Sequence, residues 1–393
     1  MRGWRESTQL LVVLVSSIPA SAVAAPPIVV RNAAELQAAV ANPANAGNRI
    51  VLEGGLYELT ASDSAPGRLE LQTDMTLEGK PGDPTAVIID ASKLPASSFQ
   101  DGTLTTGALR MGRGHNALRW LTLRNAPAAA AAFVETDLPP SVPDDETSIT
   151  VEHCIVHGNQ RGVDFRLAGP SHNGRTLRGT FTDTVFSENT FGGGQGLRVV
   201  HVQGVTGATL VASLARNSYQ GNLVGLLVAS NNSSGNVIEV ESSNNEHSGN
   251  AVGAIIAAGI ASSGGGAHAD DNQLTFASRN DAFDGNDGSA PILADSGSGL
   301  AVLGADSATA TGAGRASRNS THLDLRNAGF SDNRVRAVAA FGARGSPGLV
   351  TGTQNEAVIV LLGSTQELDI DGHDSVPAEP TNHLTIVPHP GNH

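Results

Sequence analysis

The chain has 393 residues, with 46 glycines, 4% aromatics, 16% charged residues and a net charge of −14 from 24 Lys plus Arg against 38 acids. An apolar share of 39% excludes the charge-rich, core-poor composition of a disordered chain. The acidic balance excludes a nucleic-acid binder that works by neutralising phosphates, and glycine without a three-residue period excludes collagen.

Residues 1–25 carry a basic start (Arg2, Arg5), an apolar run from Leu10 to Val15, and small residues ending Ala22-Val23-Ala24. That is the pattern of a cleaved secretory signal, too short in its apolar part to span a bilayer. No later segment is long and apolar enough to do so, and a secreted or otherwise extracytoplasmic location is expected. Ala33 to Val40 then reads as a short amphipathic helix suited to capping an open end. Strand-like runs follow at Arg49-Ile50-Val51-Leu52, Met75-Thr76-Leu77-Glu78, Val87-Ile88-Ile89-Asp90 and Trp120-Leu121-Thr122-Leu123. Cys154, the only cysteine, sits in the β-patterned run Val151-Glu152-His153-Cys154-Ile155-Val156. It cannot form an intramolecular disulfide, and its apolar neighbours imply a buried, inert thiol.

From there the chain repeats itself. Six times a bulky residue is followed three positions later by asparagine: Val156…Asn159, Phe186…Asn189, Tyr219…Asn222, His247…Asn250, Phe283…Asn286 and Phe330…Asn333. Several copies add a glycine three residues on, as at Gly162, Gly225 and Gly253, and then apolar residues. Constant strand phrases joined by loops of variable length suit stacked coils, with asparagine at corners where its side chain tolerates left-handed backbone. No amphipathic helical periods separate the strands, so a doubly wound sheet is disfavoured. About eight to ten coils are expected.

Together these phrases resemble the right-handed parallel β-helix proteins of the pectin-lyase-like superfamily, from about Ile28 to Val387. The resemblance implies an all-β solenoid, here with a short N-terminal capping helix. Residues 26–370 would form the β-helix and residues 371–393 a C-terminal tail. It also implies binding or cleavage of an extracytoplasmic, acidic polysaccharide, by a lyase-type elimination if the chain is catalytic. The alternative is a non-catalytic surface or structural β-helix of adhesin type.

The superfamily's catalytic patterns are mostly missing. Asp144-Asp145 and Asp270-Asp271 lack the companion acids of inverting hydrolysis, and both lysines, Lys80 and Lys93, precede the main coils. Arginine is concentrated instead, nine between residues 101 and 200 against two between 201 and 300. Strand parity after Gly162 and Gly196 turns Val163, Phe165, Leu197 and Val199 inward and Asp164, Arg166 and Arg198 outward. These three, with His201, are the candidate catalytic residues, and His157 and Arg161 the candidate substrate-binding residues. His153 and His157 share parity but have no third ligand, so no metal site is expected. Asp369-Ile370-Asp371-Gly372-His373-Asp374 resembles a shortened calcium loop without its closing glutamate. No cofactor is expected, calcium being the one ion that pattern would suit. Asn231, Asn232 and Asn319 match the glycosylation sequon.

Strand phrases in the second half are apolar on both parities, so one outer face is greasy over several coils. Leu227, Ile255 and Val302 are the expected outward members. The tail after Asp371, a loop or self-association through that face would cover it.

Overall fold

The computed structural model describes residues 26–388 apart from 63–65, 102–103, 106, 127–129, 135–146, 191–193, 262–266, 288–297, 307–313, 335, 345–349, 352, 363–369 and 377–380. The export segment, Asp144-Asp145 and Asp369 lie outside the described residues.

A central coil contributes one strand to each of three sheets. The coil Thr176–Thr182, Val185–Ser187, Gln195–Val202 shows the unit, and Thr209–Ala215 begins the next. Among the described residues the first strands form a twelve-stranded sheet, the second a nine-stranded sheet and the third a ten-stranded sheet. Neighbouring coils pair parallel and in register, as in Thr180↔Ser213, Phe186↔Tyr219 and Val199↔Val228. This is the right-handed parallel β-helix that the repeats imply. The longest sheet exceeds eight to ten strands because the end coils lack the bulky-residue…Asn phrase. The strands Ile370–Val376 and His383–Pro388 pair with Arg336–Arg344 and Glu356–Leu362, so the solenoid continues past residue 370. The acidic run from Asp371 to Asp374 lies in the strand Ile370–Val376.

Helix α1 (Ala33–Ala41) closes the N-terminal end. The Asn32 side chain accepts from the Glu35 amide at 2.9 Å while Glu35 accepts from the Arg31 amide at 2.8 Å, which satisfies two otherwise orphaned donors. Leu36, Ala39 and Val40 bury its other face against the first coil.

The corners follow one rule: a residue with left-handed backbone, then a buried side chain that bonds to the neighbouring coil. At the corner between the second and third sheets, Gly158, Glu188, Gly221, Gly249, Gly285 and Asp332 have positive φ. The asparagines after them form a ladder in which each backbone N–H donates to the Oδ1 of the next coil's asparagine, at 3.0–3.2 Å from Asn159 to Asn333. A second ladder, Asn236, Asn272, Asn319, Asn355 and Asn382, lines the corner between the third and first sheets. At the remaining corner Thr184, Asn217, Asn245 and Asp281 play the same part. These bonds replace the sheet partners that the backbone loses at a bend. Asn319 is 1% exposed within its ladder, so its sequon is not a modification site.

Inside, the bulky residue of the repeat occupies the inward middle of each second-sheet strand. Phe186, Tyr219, His247, Phe283 and Phe330 stack with ring centroids 4.5–5.1 Å apart and planes within 12°. The repeat phrase thus encodes one rung of this stack and one rung of the ladder. Cys154 is buried at the corner between the first and second sheets; its thiol donates to the Glu152 carbonyl at 3.3 Å, and burial pushes it up to about 12. It is the inert thiol expected.

Candidate functional site

The outer face of the third sheet changes character along the solenoid. In strand Arg161–Ala168, Val163, Phe165 and Leu167 join the main core, while Asp164 and Arg166 point away from it. Gly162 opens that strand where a Cβ would collide with the Gly196 carbonyl of the next coil, so only glycine lets the coils approach here. Register places Asp164 directly opposite Arg198.

The expected outward parity holds, but these side chains are covered rather than solvated: Asp164 is 1% exposed, Arg166 5% and Arg198 8%. One Asp164 oxygen, Oδ2, faces three guanidiniums, Arg198 at 3.1 Å and Arg161 and Arg166 each at 3.6 Å. Burial alone would push the Asp164 carboxyl up, but the Arg198, Arg166 and Arg161 charges outweigh it and hold the carboxyl below its ordinary range. Arg198 shows the opposite balance. Burial pulls it down to about 10, assisted by the like charges of Arg161 and Arg166, despite its contact with Asp164.

The cluster is incompletely satisfied. Asp164 Oδ1, Arg161 Nε and Arg198 Nε have no hydrogen-bond partner among the described residues. Counting only Arg161 and Arg198 against the single carboxylate already leaves one positive charge in excess. Arg161, with a quarter of its side chain exposed, is the route from solvent to that charge. Arg110 and Glu70 lie on the same outward row, two and three coils earlier respectively; strand parity was the signal that could have found them.

The other expected residues lie elsewhere. His201 shares the inward parity of Leu197 and Val199, pairs with Leu167 and Ser230, and sits fully buried with Nδ1 3.2 Å from Ser230 Oγ. Burial pushes it down to about 3, so it is neutral and on the wrong side of the sheet to act with Arg198. His157 is on the second sheet, in register with Arg124 and Ser187, and the structure does not bring it to Asp164. Asp270 and Asp271 are engaged by Arg315 and Arg318 respectively. Among the described residues no group of three His, Cys, Asp or Glu could hold a metal.

Beyond Arg198 the same outward row continues as Leu227, Ile255, Ala301 and Ala339. A second row runs Arg166, Val200, Ala229, Ala257 and Leu303. Val302 belongs to the inner core instead, because a run apolar on both parities hides which one faces in. The outward residues form their own buried cluster, with Ile255 7% exposed and Ala301 and Leu303 fully covered. That burial is achieved within one chain. The described tail strands pair at the end of the solenoid instead of lying across it.

A groove of about 450 Å³ at the N-terminal end is lined by α1 and by residues 60–62, 66–68, 70 and 72. Its Gln37 amide already donates to the Thr60 and Gly67 carbonyls, which marks it as packing of the cap.

No protein-family model matches the chain, and no curated protein matches it in sequence. Among solved structures it is similar to the A-module of the mannuronan C-5 epimerase AlgE4 of Azotobacter vinelandii, over 93% of this chain and 92% of that one, at 18% identity and a TM-score of 0.46. The AlgE6 A-module of the same organism covers 91% of this chain and 95% of its own length at 16% identity and a TM-score of 0.41. Pectate lyase Pel9A covers 86% and 72% at 14% identity and a TM-score of 0.31. No helix among the described residues is long and apolar enough to cross a membrane.

Proposed function

We propose that this protein binds an acidic polysaccharide outside the cytoplasm, through the arginine cluster on the outer face of the third sheet. The observation that carries the reading is a single buried carboxylate, Asp164, faced by more guanidinium charge than it can neutralise. Such a surplus is costly in a covered site and is offset when an anion arrives. A uronate carboxylate would accept from Arg161 at the exposed edge and from the free Nε of Arg198, in the planar geometry that guanidinium favours.

Cleavage by elimination is the finer form of this reading. It needs a base for the proton α to the uronate carboxylate, and Arg198 is the candidate. Its value near 10 leaves it protonated at neutral pH, so an elimination through it would rise with pH toward about 10. The inward placement of His201 favours the alternative, binding without chemistry. Affinity electrophoresis in polygalacturonate and in alginate tests the binding. Arg198→Gln is expected to weaken retention about tenfold or more without unfolding the protein. Wild-type mobility unchanged by either polymer would overturn the proposal. Ultraviolet absorbance of unsaturated products, followed from pH 7 to 10, separates cleavage from binding.

A further inference from the structure

The corner between the first and second sheets carries a second set of chemistry on its outside. Its left-handed residues are Trp120, His153, Asp183, Arg216, Asn244, Asn280 and Asn327, one per coil. Each backbone N–H in this column donates to the coil that follows, as from Trp120 to Glu152, His153 to Thr182 and Asp183 to Ala215. The column is therefore straight, with one side chain about every 4.8 Å along the axis.

Asparagine suits that backbone and fills three of these positions; tryptophan does not. Trp120 nevertheless holds φ at 54°, outside the core and partly exposed. Its ring stacks flat on His153, with centroids 3.9 Å apart and planes within 11°. The preceding corner position is Gly79, so no corner side chain stacks on the other face of the indole. A bulky residue kept in an unfavourable conformation at a surface points to use of the surface.

We propose that this column binds a linear, uncharged polysaccharide lying along the solenoid axis, with Trp120 as its stacking platform. A pyranose ring presents an apolar C–H face that fits an indole, and its hydroxyls both donate and accept. The coil spacing is close to the length of one sugar unit in an extended chain. Downstream of the Trp120–His153 platform, Arg216 forks onto Asp183 at 2.8 and 2.7 Å, so the charges there cancel. Asn244, Asn280 and Asn327 are exposed and joined only by long amide contacts of 3.3 and 3.2 Å, which leaves groups for hydroxyls. The balance of charge selects a neutral glycan, unlike the arginine cluster, and the inference does not rest on that cluster.

Trp4 and Trp120 are the two tryptophans of the chain. Full-length protein carrying Trp4→Phe makes Trp120 the sole indole, and its emission is titrated with cellohexaose, mannohexaose and laminarihexaose. A saturable shift with at least one of them is expected, and a flat titration with all three overturns the proposal. A second variant, Trp120→Asn, installs the residue that the corner backbone prefers. It is expected to raise the melting temperature while lowering affinity for the responding sugar about tenfold or more, measured by calorimetry. A lower melting temperature with binding retained would mean that Trp120 serves packing alone, and overturns the proposal. Hexagalacturonate binding is followed on the same protein, so failure of the corner and failure of the arginine cluster read out on different ligands.

Discussion

Polar groups are buried in two very different ways in this molecule. In the corner ladders every asparagine is matched: Asn250 Oδ1 accepts from the Asn222 amide at 3.0 Å, and its Nδ2 donates to the Tyr219 carbonyl at 2.9 Å. In the cluster around Asp164 the groups crowd one oxygen and leave others empty. A satisfied network repeated in coil after coil is what a fold needs in order to turn a corner. A crowded cluster of charges is not something that turning a corner requires, and the proposed binding rests on it.

The contrast can be broken most directly at Asp164. Asp164→Asn strands buried guanidiniums without their anion and is expected to cost ~3–5 kcal/mol in urea unfolding, recovered in part by added polyuronate. A loss below that of a ladder mutant, with no recovery, would remove the distinction. Asn250→Ala comes next. It orphans the Asn222 amide and the Tyr219 carbonyl at a cost of ~1–3 kcal/mol for each group, and no glycan should restore it. If polyuronate stabilised this variant as much as it does Asp164→Asn, the ladders would not be purely structural.

Acid should act on the core before it reaches the cluster. His201 and His247 are both pushed by burial from 6.5 down to about 3, so they are neutral in the fold and protonated on unfolding below pH 6.5. The unfolded chain then binds more protons, so stability is full above pH 6.5 and falls as the pH drops toward 3. The slope is about 1.4 kcal/mol per pH unit for each ring. His247→Phe keeps the aromatic stack and should remove half of that slope, as read from denaturant midpoints between pH 6.5 and 4. An unchanged slope would place the acid sensitivity elsewhere.

The coil was legible in the sequence because two independent needs fall three residues apart: a bulky inward rung and an asparagine at the next bend. The ladder from Asn236 to Asn382 was not, since the residues before it (Gly235, Asp271, Arg318, Gln354) share only a backbone angle and no chemistry. Period-two reasoning turned Asp164, Arg166 and Arg198 the right way but could not show that they are covered, because cover comes from other parts of the chain. The same parity applied to Leu197, Val199 and His201 places the histidine inside. Where both parities are apolar, as from Leu300 to Leu303, the pattern is silent, and Val302 and Leu303 exchange their expected sides.

The ladders have one more consequence, for how such a molecule changes length. Asn222 meets the coil after it through the same bonds that Asn250 uses for its own successor. Removal of residues 223–250 would therefore hand Asn222 to Asn286 and seat Tyr219 on Phe283, with every surviving strand still in register. A reader of this chain can delete or duplicate a whole line without disturbing the grammar of the next. Solenoids built this way evolve by adding and losing lines, and only a coil that carries something unrepeatable, such as Asp164 with its arginines or Trp120 at its corner, resists the edit.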